Sequence, residues 1–161
     1  MIVYTDGACS PNPGKGGYGV VVYDDNNNLI DCYSHYENNT TNNIQEIKAI
    51  LYTFLNYGIK LKEEEFIEQI PIVYSDSAYC VNTFNNWMFS WARNGWLKSD
   101  KKEPENLELI KAYYDWYQKG YRIDLRKVKG HKGIEGNELA DKLATGSKTT
   151  EEILKNYKNM L

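Results

Sequence analysis

Residues 2–6 read IVYTD and residues 72–76 read IVYSD. In both, Ile, Tyr and Asp take alternate positions (Ile2, Tyr4, Asp6 and Ile72, Tyr74, Asp76), with Val and a small hydroxyl residue between them. Alternation of β-branched and aromatic residues over so short a run is the signature of a strand. The first pattern runs on to residue 8 before it meets turn residues, and the second ends at its aspartate. Two matched strands paired side by side would bring Asp6 and Asp76 to within about one strand spacing, ~4.8 Å. Carboxylates that close cannot both stay charged and unpaired. Either one proton is retained or a cation sits between them.

The neighbouring sequence shows how such a pair could arise. SPNPGKGG follows the first strand, GYGVVVYDD is rich in β-branched and aromatic residues, DDNNN is a turn, and LIDCYSHY is a third strand. This spacing predicts an antiparallel meander. ENNTTNN then offers N-cap residues to a helix in which Ile44, Ile47, Leu51, Phe54 and Leu55 recur at helical spacing until Gly58. The second IVYSD strand follows an acidic connector, KLKEEEFIEQ. A helical aromatic segment (77–96), a loop, a helix over LELIKAYYDWYQKG and a strand over YRIDLRKV come next. Asn137 is the expected cap of a further helix, and a C-terminal helix is expected over about 149–160. The fold class is α/β: a five-stranded mixed sheet, three antiparallel strands then two parallel crossovers, flanked by helices. The whole of 1–161 reads as one domain.

Tracing the directions sends the unusual polar residues to one edge. With β-strand travel up, down, up, the first helix starts at the top and descends, and both later strands rise beside the first under the right-handed crossover rule. Asp6, Asn12, Asn42, Asn43, Glu46, Asp76, His131 and Asp141 all fall at that edge, where open sheets carry their sites. The helix bearing Asp141 is expected to begin there. Four oxygen-ligand side chains with no convergent cysteine or histidine set select a hard ion, Mg²⁺ or Mn²⁺. Two such ions ~4 Å apart suit phosphodiester hydrolysis. For Asp141 alone, a solvated surface acid is the stronger reading; convergence of the four reverses it.

Composition sets limits on the remainder. The net charge of −3 is unevenly spread: residues 93–132 hold eleven Lys or Arg against six Asp or Glu, and the rest is net −8. A local basic stripe is what phosphate contact requires, although on charge alone a solvated helix face is the favoured reading. Cys9, Cys32 and Cys80 have no metal-site spacing and are expected to be small buried hydrophobes in a reducing cytosol. No apolar run approaches membrane-spanning length, and the chain enters its first strand with no room for a signal peptide. A cytoplasmic location is the expectation.

Five ordered stretches, TDGACSPNPGKGGYG, TTNNIQEIKAI, YSDSAY, NNWMFSWARNGWLKSDKKEPEN and VKGHKGIEGNELAD, together resemble type 1 ribonuclease H of the bacterial kind, over Ile2 to about Lys148. The resemblance implies the ribonuclease H-like fold and a monomeric endonuclease that cleaves the RNA strand of RNA–DNA hybrids with two Mg²⁺ ions, leaving 5′-phosphate and 3′-hydroxyl ends. It implies that Asp6 bridges both ions, that Glu46 and Asp76 complete the leaving-group ion, and that Asp141 helps hold the ion that activates water. His131 matches a mobile-loop histidine; His35, by contrast, reads as an ordinary edge-strand residue. Asn12, Asn42 and Asn43 match minor-groove contacts, where 2′-hydroxyls mark RNA. Thr41 and Asn106 match residues that grip a DNA phosphate, with helix capping the rival role for Thr41. Trp87, Trp91 and Trp96 fall in the basic handle, about 87–104, with Trp91 expected in the core and Trp87 toward substrate. Two departures bear on affinity: the handle is weakly basic, and Ala78 stands where a polar, base-contacting side chain is common. A hybrid-binding module without catalysis would lack one of the four carboxylates, and none is missing. Another nuclease of the superfamily is the nearer rival, and a flavodoxin-like nucleotide binder is disfavoured by the lack of a phosphate-cradling glycine loop.

Overall fold

The run Val20-Val21-Val22-Tyr23 is apolar throughout because both faces of its strand are covered. Val20 and Val22 join one buried cluster, with Ile47, Ile50, Phe54 and Val73; Val21 and Tyr23 join another, with Ala140, Leu143 and Ile153. The computed structural model describes residues 1–61, 69–129 and 134–159. In chain order these form β1 (Ile2–Cys9), β2 (Gly14–Tyr23), β3 (Leu29–Thr40), α1 (Asn42–Tyr57), β4 (Ile59–Lys60), β5 (Ile72–Ser75) and α2 (Ala78–Asn82). A π-helical turn (Thr83–Trp87), α3 (Met88–Arg93), α4 (Leu107–Gln118), β6 (Tyr121–Arg122), β7 (Asp124–Lys127), α5 (Glu135–Thr145) and α6 (Thr150–Asn159) complete it.

The main sheet has the order β3-β2-β1-β5-β7. β1, β2 and β3 pair antiparallel, and β5 and β7 add parallel to β1. Ile2 faces Ile72 and Tyr4 faces Tyr74, so the matched pentapeptides are paired in the register their sequences suggest. The Tyr4 and Tyr74 rings stack at 5.2 Å. The five-stranded mixed sheet flanked by helices is therefore present as expected. α1 lies on one face, presenting Ile47, Ile50 and Phe54 to the larger cluster, and α5 and α6 cover the other. Each such side chain, fully withdrawn from water, is worth about 1.5–3 kcal/mol.

Several local expectations are corrected. Residues 121–128 are not one strand: β6 leaves the main sheet to pair with β4 in a two-stranded ribbon, and only β7 pairs with β5. Tyr121 stacks on Trp116 at 4.0 Å, and Arg122 donates to the Tyr117 and Tyr121 carbonyls while its guanidinium covers the Tyr117 ring. These contacts tie β6 to α4 and turn the chain before β7. β3 runs on through ENNT to Thr40, its polar residues tolerated at a sheet edge. Segment 77–96 is two short helices around the π-helical turn, not one helix. Asn137 caps nothing: α5 begins at Glu135 after Ile134, and Asn137 is buried within the first turn. Cys32 and Cys80 are buried free thiols, but Cys9 is only partly buried, its sulfur facing the Pro11 and Thr40 carbonyls.

α5 also runs differently from expectation. A Cβ on Gly136 would overlap the Tyr4 ring, one on Gly19 would strike Ala140 and Leu143, and one on Gly17 would meet Ala144. Because Gly19 faces Asp6 and Gly17 faces Ala8 across the sheet, α5 starts low and climbs beside β1. It reaches the upper edge only in its second turn, where Asp141 stands.

Candidate active site

Each carboxylate is delivered by a different element. Asp6 is set within β1, where Gly7 N–H donates to its Oδ1 at 3.0 Å. Glu46 sits in the second turn of α1, a helix capped by Thr41, whose hydroxyl accepts from Ile44 N at 3.1 Å. α1 reaches this depth because Gly7 has no side chain: a Cβ there would overlap the Glu46 nitrogen and the Gln45 carbonyl carbon. Asp76 follows the last residue of β5, where Ser77 opens α2 by accepting from Cys80 N. Carboxylate oxygens of Asp6, Glu46 and Asp76 all lie within 4.8 Å of one another. Asp141, on the exposed face of α5, completes the rim beside Asp6 and Asp76.

The electrostatics of this cluster follow from burial. Asp6 is 6% exposed and Glu46 8%. Desolvation, reinforced by the charge of Asp76, pushes the Asp6 carboxyl up to about 8. Desolvation and then the charge of Asp6 push Glu46 up to about 10. One Glu46 oxygen, Oε2, is buried with no hydrogen-bond partner, a costly state that a coordinated cation or a shared proton would relieve. Burial first, then the Glu46 and Asp76 charges, raise the nearby Cys80 thiol to about 12 against the lowering effect of Ser77, so it stays neutral. The donor set is oxygen alone, which fits a hard divalent ion. The cluster lies in an open groove of about 780 Å³, which also takes in Asn42, Asn43 and Ser77.

A family model described as RNase H matches residues 1–148. The chain belongs to the RNase H family. Ribonuclease H of Caldanaerobacter subterraneus subsp. tengcongensis is 42% identical over 158 residues, spanning 97% of this chain and 92% of that protein. Ribonuclease H of Acetivibrio thermocellus is also 42% identical, spanning 97% and 96%. The solution structure of the PFV RNase H domain aligns with a TM-score of 0.70 at 27% identity, over 90% of this chain and 92% of that domain. LC11-RNase H1, solved in complex with an RNA/DNA hybrid, aligns with a TM-score of 0.63 at 26% identity, over 95% and 98%. The chain is accordingly a nuclease of the RNase H class, on the RNase H-like fold.

The remaining residues expected from the RNase H resemblance sort by position. Asn12 and Asn42 interlock: the Asn12 Oδ1 accepts from the Asn42 backbone N–H at 3.1 Å. That bond satisfies one of the free donors at the start of α1 and leaves the Asn12 amide NH₂ for another partner. Asn12, Thr41, Asn42, Asn43 and Asn106 line one depression adjoining the carboxylate groove. Thr41 is a helix cap, as its rival role required. Asn106 precedes α4 in a left-handed conformation, φ 60°, and caps nothing with its side chain. Trp87 is 43% exposed, and Trp91, 6.1 Å away, is partly buried against the core. His35 is exposed on the edge strand β3. His131 lies outside the described residues. Sequence reasoning missed Tyr36 and Lys15, which line the same groove as the carboxylates; Tyr36 falls in a strand otherwise read as ordinary, and nothing in its local pattern marks it.

Proposed function

We propose that this chain hydrolyses the RNA strand of RNA–DNA hybrids with two divalent ions, Mg²⁺ by preference, leaving 5′-phosphate and 3′-hydroxyl ends. The observation that carries this reading is the convergence of the Asp6, Glu46 and Asp76 oxygens within 4.8 Å at one sheet edge, with Asp141 on the rim. Asp6 would touch both ions, Glu46 and Asp76 would complete one site, and Asp141 would help hold the other. When bound, such ions supply an activated water and stabilise the leaving oxygen.

The residues around the ions do the positioning. Asp6 and Glu46, buried and backed by β1 and α1, hold their carboxylates in place without rearrangement. Asn12, fixed through its oxygen by α1, offers its NH₂ to the minor groove, beside Asn42 and Asn43, where 2′-hydroxyls distinguish RNA from DNA. Thr41 and Asn106, which line the same depression, take a phosphate of the DNA strand, and the exposed Trp87 contributes from the handle, about 87–104. His131 is assigned to proton handling or product release, with metal-activated water sufficient for slow turnover without it. The LC11-RNase H1 complex with a hybrid supports this choice of partner. We propose further that residues 1–161 act as one catalytic domain and as a cytoplasmic monomer. Its three free cysteines suit a reducing compartment, and no helix among the described residues is long and apolar enough to cross a membrane.

The test is a hybrid labelled on its RNA strand and incubated with Mg²⁺ or with EDTA. Cleavage with Mg²⁺ only, giving RNA products with ligatable 5′-phosphates, is expected. Metal-independent cleavage, or 3′-phosphate products, would overturn the reading.

A further inference from the structure

The groove that holds the carboxylates does not end at them. It continues past Ala144 and Thr145 in the last turn of α5 to Lys15, near the start of β2, and Tyr36, which pairs with Gly17 within β3. Tyr36 is 50% exposed, yet its ring is anchored. The ring occupies the space that a side chain on Gly17 would fill, and its hydroxyl donates to the Leu143 carbonyl at 2.6 Å. The Leu143 carbonyl also accepts from the capping Gly146 N–H, so the bond holds the ring against the end of α5 and leaves part of an anchored aromatic face open to the groove. Lys15 is exposed and pairs with no carboxylate among the described residues. Glu37, which lines the groove beside Tyr36, is already paired with Lys48. The groove is thus acidic at the carboxylates and carries an unneutralised cation at its other end.

We propose that Lys15 and Tyr36 form a second subsite for the RNA strand, in which Lys15 pairs with a backbone phosphate and the Tyr36 ring packs on the adjoining ribose. The proposal rests on the reading that RNA is the strand cut at Asp6, Glu46 and Asp76. Asp141 and Thr145 are four helical residues apart, ~6 Å of axial rise, so the subsite lies close enough to serve nucleotides neighbouring the scissile phosphate on the same strand. The pairing of a cation with an anchored ring is the combination that tracks a nucleic-acid backbone without reading its sequence. A tyrosine that merely closed the end of α5 would need neither Lys15 nor an open ring face.

The experiment measures hybrid binding against salt, with Ca²⁺ replacing Mg²⁺, for the full chain and for Lys15→Ala, Tyr36→Phe and Tyr36→Ala. Loss of one phosphate contact should reduce the slope of log K against log salt by about 0.9 in Lys15→Ala. In cleavage assays its KM should rise about 3- to 10-fold with kcat nearly unchanged. Tyr36→Phe, which keeps the ring and loses the bond to Leu143, should retain the native KM even if it melts lower. Tyr36→Ala should raise KM like Lys15→Ala. A scan of single methylphosphonate substitutions along the RNA then locates the contact: one position that weakens binding of the native chain should become silent in Lys15→Ala. An unchanged slope and an unchanged methylphosphonate profile in Lys15→Ala would overturn the subsite, as would equal KM effects of Phe and Ala at Tyr36. Failure of the unaltered chain to cut hybrid at all would instead overturn the parent reading.

Discussion

At Asp6, burial and the charge of Asp76 act in the same direction, holding its carboxyl up to about 8. The consequence is a stability cost in the metal-free protein. The folded state keeps a proton that the unfolded chain releases near pH 4, so this group makes folding less favourable as pH rises from about 4 toward 8. Glu46, raised to about 10, adds to the same trend. Asp6→Asn should therefore stabilise the metal-free protein by roughly 1–3 kcal/mol at neutral pH while abolishing turnover. The backbone bond from Gly7 reaches Oδ1, an acceptor that asparagine retains, so the amide forfeits little. Urea melts in EDTA across pH 5 to 9 check this: the stability difference between the variant and the native chain should widen with pH, and Mg²⁺ should raise the melting temperature of the native chain more than that of the variant. A variant that unfolds more readily in EDTA would refute the crowding. The identity of this residue and of its three partners was legible in the sequence because strand alternation and helix phase are local. The raised proton affinities of Asp6 and Glu46 depend on burial from several elements at once, and Tyr36 gained its place through a glycine on another strand.

The elements themselves were legible wherever the hydrophobic period was clean. β1 and β5, with matched pentapeptides, pair in the expected register, and α1 follows its stripe of Ile47, Ile50 and Phe54. Expectation failed where tertiary contacts overrode a continuous pattern. The Trp116–Tyr121 stack and the Arg122 contacts split one strand pattern into β6 and β7, and the packing of Gly136 on Tyr4 starts α5 lower than the loop before it suggested. Asp141 still reached the edge because the climbing helix compensates for its lower start. The contact that positions Glu46 is similarly tertiary. Gly7→Ala would force a methyl into the backbone of α1 at Gln45 and Glu46, neither of which can rotate away. It should cost about 3 kcal/mol and lower metal affinity as well, since Glu46 moves with the helix. Calorimetric titration with Mn²⁺, together with thermal melts, separates the two; a variant as stable as the native chain with unchanged Mn²⁺ binding would show that α1 and β1 are not in close contact.

For the molecule as a whole, a net charge of −3 is reconciled with a nucleic-acid substrate by an excess of bases in 93–132, net +5, against an excess of acids in the rest, net −8. That division was visible in the sequence; the depth to which the acids are buried was not, because it required the close approach of α1 to β1 at Gly7. Few basic residues in the handle predict hybrid binding that weakens with salt along a shallow slope. Ala78, exposed in the first turn of α2 beside the groove residue Ser77, is one place where affinity can be restored. Ala78→Gln should tighten hybrid binding or shift the preferred cleavage sites; no change in either would mean that the position does not face substrate. The contacts proposed on the two sides of the groove would require one RNA and one DNA strand at once, which makes substrate choice the most direct test of all. With Mg²⁺, equal amounts of RNA–DNA hybrid, double-stranded DNA and single-stranded RNA should be offered to the purified chain under one set of conditions. The hybrid should be cut in its RNA strand and the other two left intact, whereas cleavage of single-stranded RNA at the same rate as hybrid would contradict the assignment.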